Sequence, residues 1–368
     1  MSSRGCSWAA CSASSPGLWP SGEAESSTIL PTPAARALLR SSQEGKFRML
    51  NRRQMLAASA SAASLGVVGC ATAAPGEIAA PSQQVTPAQA RAHQIYDGIF
   101  EAMLVADPLN ASGLGLDKGP RAALKSRVGD RSHAGRMGPF QPLIDARGAL
   151  KTIDRASLTG RGATELDTVV WYADQCAEAE RFQFVGVDSY DYPVPYVISQ
   201  LTGAYQKVPD ALDTKHIIET KADCEAYLAR LTDFATALRA ESVRARAQAD
   251  MGMAPPDFII DKALAQLRSL AAQRGETSGL ASSLGRRAAT KGLGTDWAAR
   301  AAAIVDGPIA QGLAEQIALL TEQRRTATHD ATVSRQMITA AYYEFALRFH
   351  TTTKLDAMTA HDIGLAQV

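Results

Sequence analysis

Apolar residues recur at helical intervals along most of the chain beyond residue 85, and those intervals define its elements. Ile95, Ile99 and Met103, beside Tyr96, Phe100 and Leu104, form two adjacent i, i+4 rows and predict a helix with a broad apolar face. Thr86 and Pro87 supply its N-cap and first helical residue, and Asp107-Pro108 ends it. From Asn110 to Gly138, glycines and mixed charges read as a long loop. Thr164 and Asp167 have capping-box spacing for a helix to about Arg181, with Leu166, Val169, Val170, Ala173 and Ala177 inward. Thr220 and Asp223 repeat that spacing before the longest helix, where Tyr227, Leu231, Phe234 and Leu238 step by four, three and four. Arg239, Arg244 and Arg246 are placed on its opposite face, as a solvated charged surface, and Gly252 with Pro255-Pro256 stops it.

Further helices are predicted from about Asp257 to Gln273, around Trp297–Val305, from Gly307-Pro308 through Ile309, Leu313, Ile317 and Leu320, and over Tyr342–Phe349. Gly275–Gly294 reads as a polar, glycine-bearing connection. No run of alternating β-branched residues stands out, and no period of 20 to 50 residues recurs. The expected class is all-α, an irregular antiparallel helical array left incomplete at its C-terminus.

One stretch resists a regular element. Asp191–Gln206 holds two prolines, three tyrosines and a glycine, with an apolar front half. It reads as an irregular segment pinned between helices by Tyr192, Tyr196 and Tyr205. Tyr196 and Tyr205 are also the candidates for a substrate-facing surface.

Composition changes the picture at the front of the chain. Of 368 residues, 46% are apolar and 20% charged, with a formal charge of +1. Residues 1–69 carry seven Lys/Arg and three Asp/Glu, so the body has 31 basic and 34 acidic side chains. A near-neutral body argues against a nucleic-acid partner, which needs a clustered basic face. Residues 1–48 read as a disordered leader or a misassigned start, and 49–70 as an export signal. Arg52 and Arg53 before an Ala/Ser-rich apolar stretch resemble a twin-arginine signal; a plain secretory signal is the alternative. Leu65-Gly-Val-Val-Gly-Cys70 resembles a lipoprotein box with Cys70 as the lipidation site, against cleavage at Ala71-Thr-Ala73. Residues 71–85 are then a tether and 86–368 the helical domain, exported and either periplasmic or anchored to the membrane by lipid. Cys176 and Cys224 sit among apolar helix positions and read as buried free thiols.

Candidate chemistry is sparse. The histidines, His93, His133, His216, His329, His350 and His361, lie at least eleven residues apart, and none opens a His-Glu-x-x-His frame. No nucleophile elbow, phosphate-binding loop or dinucleotide fingerprint is present. No catalytic, cofactor-binding or metal residue is assigned.

Three runs carry a resemblance: Pro195–Asp210, Glu219–Leu231 and Asp107–Asp117. Together they resemble the bacterial domain-of-unknown-function 885 family, regarded as zinc-metallopeptidase-like. Tyr342–His350 and Met358–Leu365 look like the family stretch that precedes its catalytic half, with Ala360 where the family has Ile and Thr359 as the expected cap. The resemblance covers about residues 90–368, the family's N-terminal half. It implies that zinc, a peptide substrate and hydrolase activity belong to a full-length member, through a His-Glu-x-x-Pro-Gly-His helix and a Glu-Gly-Trp segment absent here. The expectation is a truncated, inactive member. The alternative is a non-enzymatic helical envelope lipoprotein, a binding or scaffold module. Phe345, Leu347, Phe349, Leu355, Met358, Ile363 and Leu365 favour the first, because they crowd a terminus with nothing to cover them.

Overall fold

The longest helix is the axis on which the other elements are placed. A computed structural model describes residues 85–188, 192–330 and 339–368. Arg52, Arg53, Cys70 and the leader and signal segments lie outside the described residues. In chain order the helices are α1 (Pro87–Ala106), α2 (Pro108–Gly113), α3 (Phe140–Lys151), α4 (Gly162–Glu180), α5 (Ala204–Thr214) and α6 (Lys221–Asp250). There follow α7 (Asp257–Ala271), α8 (Gly279–Thr290), α9 (Trp297–Ile304), α10 (Ala310–Arg324), α11 (Thr339–Thr351) and α12 (Ala357–Ala366). The all-α expectation holds, with one addition: Gly186–Val187 (β1) pairs antiparallel with Pro193–Val194 (β2). Two residues per strand are too few to leave an alternating pattern in sequence.

α6 starts where its sequence says. The Thr220 hydroxyl accepts from the Asp223 amide, and the Asp223 carboxylate accepts from the Thr220 amide, a complete capping box. Tyr227, Leu231, Phe234 and Leu238 are all fully buried. They join residues of α5, α7, α8, α9 and α10 in one apolar core. A second core is built on α1, α3, α4 and α11 and is rich in aromatics, with Phe182 edge-on to Tyr342 at 5.5 Å. Cys176 and Cys224 are buried free thiols. Ala79–Val368 forms one compact unit, and no described helix is long and apolar enough to cross a membrane.

Several expectations need correction. Gly275–Gly294 is not a connection, since α8 occupies most of it and buries Leu280, Leu284 and Ala288. The loop after Asn110 is largely helical turns: α2, then 3-10 segments at Gly119–Ser126 and Ala134–Met137. Thr164 does not cap α4, which begins at Gly162; Asp167 instead forms a two-pronged pair with Arg155. Asp356, not Thr359, caps α12. Gly307-Pro308 does not start a helix but lies in a π-helical turn, Val305–Ile309, that joins α9 to α10. The wider turn accommodates a proline without ending the chain's helical course. Phe100 is 45% exposed, so the apolar face of α1 is narrower than its two rows suggest.

Candidate functional site

Arg244 lies on the buried side of α6, 9% exposed, and not on a solvated face as expected. Around it the structure gathers charges from four separate stretches: Arg131 and Asp130 before the 3-10 turn, Asp188 after β1, Lys207 on α5, and Glu241 one turn earlier on α6. Of these, Asp130, Arg131 and Asp188 border, with Arg244 and Asp107, a small pocket of about 30 Å³, room for roughly one water. Arg131 Nη1 lies 3.7 Å from both Asp188 Oδ1 and Glu241 Oε1, and Lys207 Nζ is 4.0 Å from Asp188.

Glu241 has a structural task. Its two oxygens accept the Ala204 amide at 3.0 and 2.8 Å, so a carboxylate from α6 caps the first turn of α5 across the core. Gly203, at φ 114°, makes the turn into that helix, a conformation that favours glycine. Burial pushes the Glu241 carboxyl up, against the pull of Arg131 and the Ala204 amide. Burial likewise lowers the Arg244 guanidinium to about 10, still protonated at neutral pH.

The same face of α6 holds down the proline-rich segment. Gln248 accepts the Val197 amide at 3.1 Å and donates to the Pro195 and Phe184 carbonyls. Tyr205, a predicted substrate-facing residue, is 3% exposed. Its hydroxyl lies 2.6 Å from Ser199 O and 2.7 Å from Gln266 Oε1, so it ties α5 and α7 to the preceding turn. Tyr196 is half-buried, and its carbonyl accepts from the Thr202 hydroxyl at 3.0 Å. Tyr192 stands edge-on to His350 at 5.9 Å. The structure does not bring Tyr196 and Tyr205 to the charged pocket, none of whose lining they form.

A second polar cluster is deeper. Arg230 is fully buried and donates to the carbonyls of Pro108, Leu124 and Arg127, to the Ser112 hydroxyl and to His216 Nδ1. Arginine only donates, so Nδ1 is the acceptor, and Nε2–H donates to the Asp223 carbonyl at 2.9 Å. Both ring nitrogens of His216 are thereby used. The other histidines are dispersed: His329 pairs with Asp257 at 2.9 Å, and His93 lies 4.0 Å from Glu165. Among the described residues no group of three or more His, Cys, Asp or Glu could hold a metal ion.

A sequence model of a bacterial protein family of unknown function, DUF885, matches residues 108–368. No curated protein matches the chain. Among solved structures, a candidate lipoprotein from Colwellia psychrerythraea aligns with TM-score 0.67 at 15% identity, over 77% of this chain and 49% of that one. That likeness is one of fold, and the chain spans about half the length of that neighbour.

Proposed function

Because the chain belongs to the bacterial family of unknown function DUF885, we propose that its helical domain forms one wall of a larger, metallopeptidase-like fold. The observation that supports this is the outer face of α12. Met358 and Leu365, one heptad apart, are 67% and 64% exposed, with Leu355 and Ile363 beside them at 39% and 44%. Phe345, by contrast, is 1% exposed and belongs to the second core, so the uncovered patch is smaller than the sequence suggests and confined to α12 and its approach. About half of the Colwellia chain lies outside the match, enough for a second wall of similar size.

Zinc and a peptide substrate enter this reading only with the second wall. The described histidines and carboxylates do not fit a zinc ion: His216 has both nitrogens engaged, and the others do not converge. No catalytic step is therefore assigned to this chain's residues. The test supplies the C-terminal half of a family member in trans to the full chain. The two are expected to form a one-to-one complex that binds zinc and cleaves peptides. Met358→Asp with Leu365→Asp is expected to weaken assembly at least about tenfold, since burying each such side chain is worth about 1.5–3 kcal/mol. Absence of any complex would favour the self-sufficient binding or scaffold module.

The same reading places the protein outside the cytoplasm, exported through Arg52 and Arg53 and anchored through Cys70. The Colwellia neighbour, described as a candidate lipoprotein, supports it. Wild-type protein is expected to partition into detergent and Cys70→Ala into the soluble fraction. One acyl chain binds membranes only marginally, so stable attachment calls for two or more. Equal partitioning of the two proteins would rule the anchor out.

A further inference from the structure

The geometry points to an oxyanion site in the pocket at Arg244 and Arg131, which takes a carboxylate or phosphate group through two guanidiniums that no carboxylate among the described residues hydrogen-bonds. This inference does not depend on the second wall.

Arg244 is the anomaly. It is buried to 9% exposure, yet among the described residues its one hydrogen bond is a 3.5 Å contact from Nη1 to the Arg131 carbonyl, and no carboxylate there forms an ion pair with it within 4.0 Å. A guanidinium offers five N–H donors, and a cation taken out of water is ordinarily paired. Arg131 is held by Asp188 and Glu241 only at 3.7 Å, beyond hydrogen-bond length. Glu241 and Asp130 act on Arg244 only through space, and Arg131 and Arg136 add repulsion. The acids at the pocket's mouth have other tasks: Asp107 caps α2 through the Asn110 amide, and Asp130 accepts the Ser132 amide.

The backbone is shaped to present this charge. A Cβ at Gly186 would collide with Arg244 Nη2, so the guanidinium lies against bare main chain. Gly135 and Gly138 also line the pocket, without side chains. The pocket holds about 30 Å³, which admits one oxygen of an anionic group while the rest of its molecule stays in the mouth. Paired, forked N–H donors match planar carboxylate and phosphate oxygens.

The experiment footprints arginines in the full chain with phenylglyoxal and reads each peptide by mass spectrometry, with acetate, inorganic phosphate or chloride present. Acetate or phosphate is expected to slow modification of Arg244 and Arg131 at least threefold, and chloride not to. Protection by acetate alone identifies a carboxylate ligand, and by phosphate alone a phosphate ligand. Equal protection by both supports a site that reads only the oxyanion. No protection by either at 50 mM overturns the site. Arg244→Met is expected to abolish protection of Arg131; undiminished protection in a folded variant would equally overturn it. Should that variant not fold, the wild-type footprint decides.

Discussion

Replacing Arg230 by methionine is expected to destabilise the fold by about 3–5 kcal/mol, as breaking a buried charged network does. Methionine has similar length and apolar bulk, so the loss comes from hydrogen bonds and not from a cavity. Arg230 serves acceptors at Pro108, Ser112, Leu124 and Arg127, all within the stretch that joins α1 to the rest. That stretch buries few apolar side chains, Leu109, Leu124 and Val128 among them, so the guanidinium substitutes for a core there. The variant leaves those oxygens and His216 Nδ1 buried without donors, at about 1–3 kcal/mol each, offset in part because no charge is then desolvated. Burial already depresses the guanidinium to about 10, with Asp117, Asp107 and Asp233 opposing from a distance. Equilibrium urea unfolding measures the difference. A loss under about 1 kcal/mol would mean that water replaces Arg230 and that the segment folds without it.

The same helix shows how far its sequence can be read. Its capping box and the seam Tyr227–Leu231–Phe234–Leu238 are plain, because both rest on local spacing. Continued by three and four, that seam reaches Glu241, Ala245 and Gln248, all buried, while Arg230, Ala237 and Arg244 form a second buried row seven apart. Charges at inward positions were the legible signal of the pocket, and reading Arg244 as solvated overlooked its register. Asp188, Lys207 and Arg131 were beyond sequence, since only tertiary contacts join them to one another and, through Arg131, to Glu241 on α6. α8 was hidden for another reason. Glycine reads as a helix breaker, yet a Cβ at Gly285 would come within 2.8 Å of Ala298 Cβ on α9. There glycine permits close helix packing and marks no turn. Tyr196 and Tyr205 stand out in the sequence, but aromatic character alone does not say whether a hydroxyl meets substrate or, as Tyr205 does, Ser199 and Gln266.

Stability is expected to fall by up to about 3 kcal/mol as pH drops from 6.5 to about 4, through His216 alone. Burial lowers this imidazole to about 4, with Arg230, Lys125 and Arg287 adding repulsion and the Asp223 carbonyl partly opposing them. The sign follows from proton counting. Between the two pKa values the unfolded chain holds a proton on His216 that the folded chain refuses, so acid favours unfolding. The contribution is complete above about pH 7 and gone below the folded value. Geometry explains the refusal: a proton on Nδ1 would face Arg230 Nη1, itself a donor 3.0 Å away. Asp223 acts in a lower window. Burial pushes its carboxyl up, but Lys125 at 2.5 Å and the Glu219 and Thr220 donors outweigh this and hold it at about 2. Its stabilisation is therefore lost only as pH falls from 3.8 toward 2. His216→Gln separates the two, because its amide can accept from Arg230 and donate to the Asp223 carbonyl without titrating. Urea midpoints at pH 7.5, 6.0 and 4.5 should diverge between wild type and H216Q, with the variant the flatter. Parallel losses in both proteins would show that His216 is not the group that titrates.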